Sequence, residues 1–111
     1  MLQLPLMAGE QLNGPSIADL NDEYRRTGLP ILTISVFLLP DFEGAIQAVR
    51  DYDDFDANND PYGEHDFGAF GWHNDRVLWK IDYTDRETGV WRDPLDPECQ
   101  RMLTIMTSDD Y

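Results

Sequence analysis

Residues 67–85 read FGAFGWHNDRVLWKIDYTD, and this stretch decides the fold because it has the pattern of a β-hairpin. Two runs rich in aromatic and β-branched residues flank an Asn74-Asp75 turn, a combination that favours a tight reversal of the chain. Alternate residues of the second run would share one strand face: Val77, Trp79, Ile81 and Tyr83. The opposite face would carry Leu78, Lys80 and Asp82. This alternation predicts an antiparallel sheet with one face on the core and the other in water.

Two amphipathic helices are predicted ahead of the hairpin. Ser16 and Asp19 have the spacing of an N-terminal capping box, which opens a helix that runs to about Arg26. The apolar stripe of this helix consists of Ile17, Leu20 and Tyr24. Arg25 falls with Arg26 in the last turn, where the helix dipole stabilises positive charge, and Gly28 is a natural residue to follow the helix.

A second helix is predicted after Pro40 and Asp41, which would end the preceding segment and cap the helix. Its apolar face would be formed by Phe42, Ala45, Ile46, Val49 and Tyr52. Between the two helices, the segment from Leu29 to Leu39 is nearly continuous in apolar residues and predicts a strand buried on both faces. The segment 101–107 predicts a final strand, with a short helix as the alternative.

These elements follow the order α-β-α-β-β-β, which predicts an α+β fold. Its antiparallel sheet would have three to four strands, with two helices packed on one face. Residues 1–15 are interpreted as an irregular N-terminal arm, because Pro5, Gly9 and Gly14 interrupt it. Residues 16–111 would form a single domain.

The charge of the chain limits the partners that it can bind. Twenty-two acidic residues oppose eight basic ones, and the formal net charge of the 111 residues is −14. A negative field of this size repels nucleic-acid phosphates and anionic membranes, and it accelerates encounter with basic protein surfaces. Because no signal peptide or membrane-spanning stretch is recognisable in the sequence, a cytoplasmic location is expected.

The densest negative charge lies at residues 51–66, DYDDFDANNDPYGEHD, where seven carboxylates occur without a cation. One interpretation is a calcium loop, because oxygen-bearing side chains at alternate positions can surround that ion. The alternate positions here are Asp54, Asp56, Asn58 and Asp60. However, Asn59 replaces the usual glycine and His65 replaces the bidentate glutamate, and both differences argue against a calcium site.

A second interpretation is a metal site built from Glu64, His65 and Asp66, with His73 contributed by the hairpin. Two imidazoles and two carboxylates can hold a divalent transition metal and leave one position open for water. Adjacent residues point in different directions, however, and hydrogen bonding within the loop explains the same residues without a metal. The sequence therefore predicts no cofactor and no catalytic residue, and a metal-dependent enzyme is the alternative hypothesis.

Four blocks of the sequence are distinctive in combination. They read LNDEYRRTG at residues 20–28, NDPYGEHDFGAF at 59–70, WKIDYTD at 79–85 and RMLTIMTSDDY at 101–111. Together they resemble a family of small bacterial proteins that carry a domain of unknown function. The resemblance implies a one-domain fold in mainly alphaproteobacterial hosts, often on plasmids or other mobile elements, and it implies no activity.

The first hypothesis for function is a binding role for the acidic surface. Closely spaced carboxylates imitate a row of phosphates, so they would occupy the basic nucleic-acid-binding surface of a partner protein and exclude its ligand. Exposed aromatic side chains among the charges would add hot-spot contacts. The predicted partner-binding residues are Asp51, Asp53, Asp54, Phe55, Asp56, Asp60, Tyr62, Glu64, Asp66 and Trp91.

In a mobile-element setting, this hypothesis predicts inhibition of a nucleic-acid-binding effector complex, for example an anti-CRISPR or anti-restriction activity. Direct binding to nucleic acid or to a membrane is not expected, because the charge has the wrong sign. A further alternative is a structural or regulatory domain whose acidity only keeps it soluble.

Overall fold

The computed structural model describes residues 14–110, so most of the predicted N-terminal arm and Tyr111 lie outside the described part of the chain. In chain order the elements are α1 (Ile17–Thr27), β1 (Ile31–Leu32), α2 (Ile34–Phe37), α3 (Phe42–Arg50), β2 (Phe67–Trp72), β3 (Asp75–Asp85), β4 (Cys99–Thr107) and a 3-10 helix (Ser108–Asp110). The predicted α+β fold is confirmed. Within residues 14–110, no helix combines the length and apolar character needed to cross a membrane.

The four strands form one sheet in the order β1-β4-β3-β2. β3 pairs antiparallel with β2, as the hairpin pattern predicts, and it also pairs antiparallel with β4. The short strand β1 pairs parallel with β4, which makes the sheet mixed. The long strand β3 therefore lies in the middle of the sheet, between its hairpin partner β2 and the strand β4.

The hairpin turn lies one residue earlier than the sequence pattern predicts. Asp75 pairs with Trp72, so the two turn residues are His73 and Asn74 and not Asn74 and Asp75. His73 adopts the left-handed conformation, with a φ of 56°. Histidine tolerates that conformation better than β-branched residues do, so the turn closes without a glycine.

The core lies between the helices and one face of the sheet. The four alternate residues of β3 predicted to share the inner face are all buried there: Val77, Trp79, Ile81 and Tyr83. This face is covered by Val36 of α2, by Leu39, which follows α2, and by Ala45 and Val49 of α3. On the opposite face Lys80 and Asp82 are partly exposed, but Leu78 is buried, so that face is less polar than predicted.

The predicted strand from Leu29 to Leu39 is the main error of the sequence analysis. Only Ile31–Leu32 forms a strand, and the chain then enters the short helix α2. Polar groups explain the change, because the Thr33 hydroxyl donates to the Asp110 carboxylate over 2.8 Å and Ser35 bonds to the same carboxylate. Leu29 and Ile34 are consequently exposed and not buried between two layers.

The starts of α1 and α3 follow the predicted capping chemistry, whereas the glycine after α1 has a different reason. Ser16 and Asp19 form the capping box of α1, and the Asp41 carboxylate accepts from the backbone N–H of Gly44 at the start of α3. Gly28 has a φ of −76°, so the left-handed conformation is not the reason for a glycine there. The reason is space, because a Cβ atom at this position would lie 2.8 Å from the Tyr24 ring.

We expect the substitution Gly68→Ala to destabilise the fold by about 2 kcal/mol, because overpacking a dense core forces its neighbours to move. An added Cβ would lie 2.7 Å from Cε2 of Trp79 and 2.8 Å from Cε1 of Tyr52. Urea denaturation measures the free energy of unfolding. Gly71→Ala is the matched control in the same strand, because its Cβ would meet no described atom within 4 Å. If both variants lose the same free energy of unfolding, the close packing around Gly68 is contradicted.

Candidate functional site

Residues 51–66 connect α3 to β2 and are called the acidic loop below. The first part of the loop, through Asn59, is largely exposed, whereas residues 64–66 at its end are partly buried. The backbone crosses from the end of α3 to the sheet beside α1, and side chains of α1 hold it. The position of the acidic loop is therefore set by contacts with α1, which come from a distant part of the sequence.

Arg25 of α1 is the main anchor of the acidic loop. Its side chain is 1% exposed. Nε donates to the Val49 carbonyl over 3.0 Å and Nη2 donates to the Tyr52 carbonyl over 2.8 Å, which binds the guanidinium to the end of α3 and the start of the loop. The guanidinium carbon also lies 5.0 Å from the centroid of the Trp79 ring. These contacts satisfy a buried cation that would otherwise be costly.

Asp22 supplies the negative charge beside this cation. Its Oδ1 accepts from Arg25 Nη1 at 2.9 Å and lies 3.0 Å from Nδ1 of His65. Partial burial alone would raise the pKa of Asp22, but the hydrogen bonds with His65 and Arg25 outweigh burial, so its pKa lies below the ordinary value. The carboxylate thus joins α1 to the end of the acidic loop.

The side chain of His65 is held in place by contacts with other residues of the fold. Its ring stacks on Phe55 with 3.8 Å between centroids and an interplanar angle of 3°. Its Nε2 lies 3.6 Å from the carboxylate of Asp60, so both ring nitrogens face carboxylates of the fold. The side chain of Asp60 is 7% exposed, and it accepts the backbone N–H groups of Glu64 and His65. The loop end is therefore closed by its own side chains.

A chain of hydrogen bonds that passes through Asn21 of α1 fixes Glu64. Arg101 Nε donates to Asn21 Oδ1 over 2.6 Å, and Asn21 Nδ2 donates to both the Tyr83 hydroxyl and the Glu64 carbonyl over 2.8 Å. The Tyr83 hydroxyl in turn donates to Oε1 of Glu64 over 2.8 Å. Burial raises the pKa of Tyr83, and the hydrogen bond to Glu64 acts in the same direction. Tyr83 is therefore a donor within this network.

The calcium-like spacing corresponds to a tightly bonded turn. Oδ1 of Asp56 accepts the backbone N–H groups of Asn58 and Asn59 at 2.8 and 3.0 Å. The Asn59 side chain donates back to the Asp54 carbonyl over 2.8 Å. Such side-chain-to-backbone bonds are the usual reason for Asp and Asn in turns. The alternating oxygens thus stabilise the loop backbone, and Asp60 points into the fold.

The geometry also separates the residues of the interpreted metal site. His65 lies before β2 and His73 lies after it, and a six-residue strand places its ends about 17 Å apart. Within residues 14–110, no group of three or more His, Cys, Asp or Glu side chains is placed to hold a metal ion. The arrangement therefore offers no geometric support for the calcium loop or for the metal centre.

A groove beside β3 brings together two of the predicted binding residues. Trp91 is 69% exposed and pairs with Thr84 beside β3. It lines a groove of about 470 Å³ together with Asp66, the last residue of the acidic loop, and with Asp82. Burial raises the pKa of Asp66, and the charge of Glu64 raises it further. The acidic surface thus continues from the loop to an exposed aromatic ring.

The predicted partner-binding residues divide into two groups. The residues with exposed side chains are Asp51, Asp53, Asp54, Asp56, Tyr62 and Trp91, and Asp66 is half-buried in the groove. Three others are partly buried and contact the fold through their side chains: Phe55, Asp60 and Glu64. They stack, cap the backbone or accept from Tyr83, so they hold the loop in place.

The anchoring role of two residues on α1 was not predicted from the sequence. Asn21 and Arg25 are both buried. From the sequence, Arg25 was expected only to interact with the dipole of its own helix, and no role was predicted for Asn21. Their signal was present, because both positions fall beside Leu20 and Tyr24 on the apolar stripe of the helix. Arg25 interacts with the carbonyls at the end of α3 and not only with its own helix dipole.

Comparison with models of protein families matches residues 17–110 to a family described as protein of unknown function (DUF3768). Because this match covers most of the chain, the protein belongs to that family. The resemblance to a family with a domain of unknown function is therefore confirmed. Searches of curated proteins and of solved structures found no match.

We expect Arg25→Met to lower the free energy of unfolding by about 3 kcal/mol, because it leaves two carbonyls and a carboxylate without their buried partner. Arg26→Met is the matched control, since it removes an exposed cation from the same helical turn. Urea denaturation of both variants measures the difference. A loss no larger than that of the control would show that Arg25 does not anchor the loop.

The lowered pKa of Asp22 predicts a dependence of stability on pH. A carboxyl whose folded-state pKa lies below its unfolded value stabilises the fold above the unfolded pKa, and this contribution is lost as the pH falls through the folded pKa. The stability difference between the wild type and Asp22→Asn should therefore be largest above about pH 5. It should shrink as the pH falls below 3.8. Thermal melts across this range measure the difference, with Asp53→Asn as the control, and a constant difference would refute the assignment.

Proposed function

We propose that this member of the DUF3768 family is a small acidic binding protein, without catalytic activity of its own, whose partner presents a basic, nucleic-acid-binding surface. In this role the exposed carboxylates take the place of phosphates on the partner. The binding excludes the nucleic acid and thereby inhibits the partner. The proposed site comprises the exposed part of the acidic loop and the adjoining Trp91 groove.

The proposal rests on the difference between two sets of side chains in the acidic loop, those that are bonded to the fold and those that are not. Asp53 and Asp54 have no hydrogen bond or ion pair through their side chains within residues 14–110, whereas Asp60 and Glu64 bind the loop to the fold. Asp56 caps the turn but remains exposed. A surface whose backbone is already fixed loses little conformational entropy on binding. More of the favourable interaction between its charges and a partner therefore remains as binding free energy.

Uncompensated charge supports the same role. No lysine or arginine occurs between Arg50 and Arg76, and Arg25, which contacts the loop from α1, is 1% exposed. The Arg25 cation therefore stabilises the loop from inside without neutralising its outer surface. Surfaces with one sign of charge attract oppositely charged partners and increase their association rate.

Charge complementarity by itself increases the association rate more than the affinity, so an acidic inhibitor also needs apolar contacts with its partner. Tyr62 is 87% exposed in the acidic loop, and Trp91 is 69% exposed at the groove that contains Asp66. Tyrosine and tryptophan are the residue types most often found at the energetic centres of protein interfaces. These two side chains are the proposed contacts that supplement the carboxylates.

The bacterial mobile-element setting that the sequence resemblance implies would give this activity a use. A cytoplasmic inhibitor carried on such an element would protect it by blocking host proteins that recognise foreign nucleic acid. Anti-CRISPR or anti-restriction activity is therefore the specific form that we propose. The chemistry of recognition is the same for either partner, because both hold nucleic acid in a basic channel.

The test is a triple variant, Asp53→Asn, Asp54→Asn and Asp56→Asn, which removes three charges and keeps the oxygen that caps the turn. At roughly 0.5 kcal/mol for each exposed ion pair, we expect affinity for the partner to fall about tenfold at moderate salt. Glu23→Gln, Glu43→Gln and Glu87→Gln together form the matched control, because all three are exposed carboxylates outside the acidic loop.

The partner is obtained by capture from bacterial lysate on the immobilised wild-type protein, followed by a salt gradient and mass spectrometry. The expected partner is a basic nucleic-acid-handling protein that its own DNA or RNA displaces. The loop variant should then retain less of it than the charge-matched control. If both variants bind equally, or if nucleic acid does not compete, the proposed role of the acidic loop is wrong.

A further inference from the structure

A groove between α1 and the start of β4 is lined by residues that do not belong to the acidic surface. It is called the arginine groove below, and its volume of about 410 Å³ lies within the range of small-molecule binding sites. Leu20 and Tyr24, one turn apart on α1, supply apolar surface. Arg86 directly follows β3, and Gln100 and Arg101 belong to β4. None of the predicted partner-binding residues lines this groove, so its role does not depend on the function proposed above.

The charge of the arginine groove differs in sign from that of the whole chain. Arg86 and Arg101 oppose one carboxylate, that of Glu23, so the lining has a formal charge of +1 in a chain whose net charge is −14. Neither arginine forms an ion pair within residues 14–110, although the chain contains 22 acidic residues. The groove therefore keeps positive charge that the fold itself does not neutralise.

Arg101 is held rigidly, but only by neutral groups. Nε donates to Oδ1 of Asn21 over 2.6 Å, and Nη2 donates to the Pro94 carbonyl over 2.9 Å. The guanidinium carbon lies 5.3 Å from the centroid of the Tyr83 ring. A partly buried cation is normally paired with an anion, because removal from water without a counter-charge is costly. Nη1 donates to no group within residues 14–110, so this fixed guanidinium retains a free donor.

The other donors of the arginine groove are also unused. In the described part of the chain, no hydrogen bond is formed by the guanidinium of Arg86, the side-chain amide of Gln100 or the hydroxyl of Tyr24. The turn that carries Arg86 is itself closed by backbone bonds, since the Asp85 N–H donates to the Val90 carbonyl over 2.7 Å. Several donors thus line one groove without an acceptor from the protein.

We propose that the arginine groove binds a small organic anion. Its carboxylate or phosphate group lies between Arg86 and Arg101, and its apolar part lies on Leu20 and Tyr24. The planar guanidinium matches the oxygens of either group, because it can donate two parallel hydrogen bonds. A small anion with one or two charges is repelled by the rest of the chain far less than a row of nucleic-acid phosphates is.

The test is a titration of the full-length protein, followed by the NMR chemical shifts of its backbone amides. The probes are phenyl phosphate and benzoate, which join an aromatic ring to each anionic group, and benzyl alcohol is the neutral control. We expect at least one anion to shift the amides of residues 99–101 until saturation at roughly 10 mM, where a site with a millimolar Kd is nearly filled. Benzyl alcohol should bind more weakly than that anion. Tighter binding of phenyl phosphate identifies a phosphate ester as the ligand class, and tighter binding of benzoate identifies a carboxylate.

Two variants place the binding in the arginine groove. Arg86→Gln should weaken binding of the anion about fivefold, as expected for the loss of one exposed ion pair. Gln100→Glu should weaken it at least as much, because it adds a negative charge beside the anion. Both side chains are exposed and unbonded within residues 14–110, so both variants should keep the fold. Arg76→Gln is the matched control, since it changes the net charge by the same amount at an exposed site outside the groove.

Several outcomes would overturn the proposal. If neither anion binds, or if benzyl alcohol binds as tightly as the anions, the groove is not an anion site. If Arg76→Gln weakens binding as much as the groove variants do, binding follows the net charge of the protein and not the arginine groove. The amide spectrum reports whether each variant is folded, and either groove variant that keeps the wild-type spectrum is sufficient to decide.

Discussion

The structure depends above all on the burial of one cation, the guanidinium of Arg25. A buried charge is costly unless it is paired and fully hydrogen-bonded, and Arg25 meets this condition with Asp22 and the carbonyls of Val49 and Tyr52. Those partners belong to three different parts of the chain: α1, the end of α3 and the start of the acidic loop. The planar guanidinium also lies over the ring of Trp79 at the centre of the sheet. One side chain thereby fixes the relative positions of the two longer helices, the loop and the core.

The acidic loop is shaped by the requirement that buried polar groups be satisfied. Its inner side chains form bonds that a protein interior demands, such as the acceptance of two backbone N–H groups by the nearly buried Asp60. The exposed carboxylates of Asp53 and Asp54 have no such role within residues 14–110. The negative charge that dominates the composition is thus of two kinds, one structural and one available to a partner. Composition does not distinguish them, because both kinds are the same residue types.

Much of the fold could be predicted from local patterns, because those patterns report on local physics. The alternation from Val77 to Tyr83 identified the central strand and its buried face, and the Ser16–Asp19 capping box identified the start of α1. The segment from Leu29 to Leu39 was misinterpreted because its apolar composition does not reveal that Thr33 and Ser35 bond to Asp110, more than seventy residues later. The same reason explains why Phe55 was expected on the surface. Its stacking on His65 and its contact with the core depend on where the loop returns to the sheet.

The division of the acidic loop into an inner and an outer part has a consequence for how the family can diverge. Substitutions at Asp53 and Asp54 remove no side-chain hydrogen bond within residues 14–110, so selection for stability places little restriction on them. Substitutions at Asp60 or His65 disturb the closure of the loop and are restricted for that reason. The outer positions can therefore change charge or size at little expense in stability, whereas a change at the inner positions alters the path of the loop backbone.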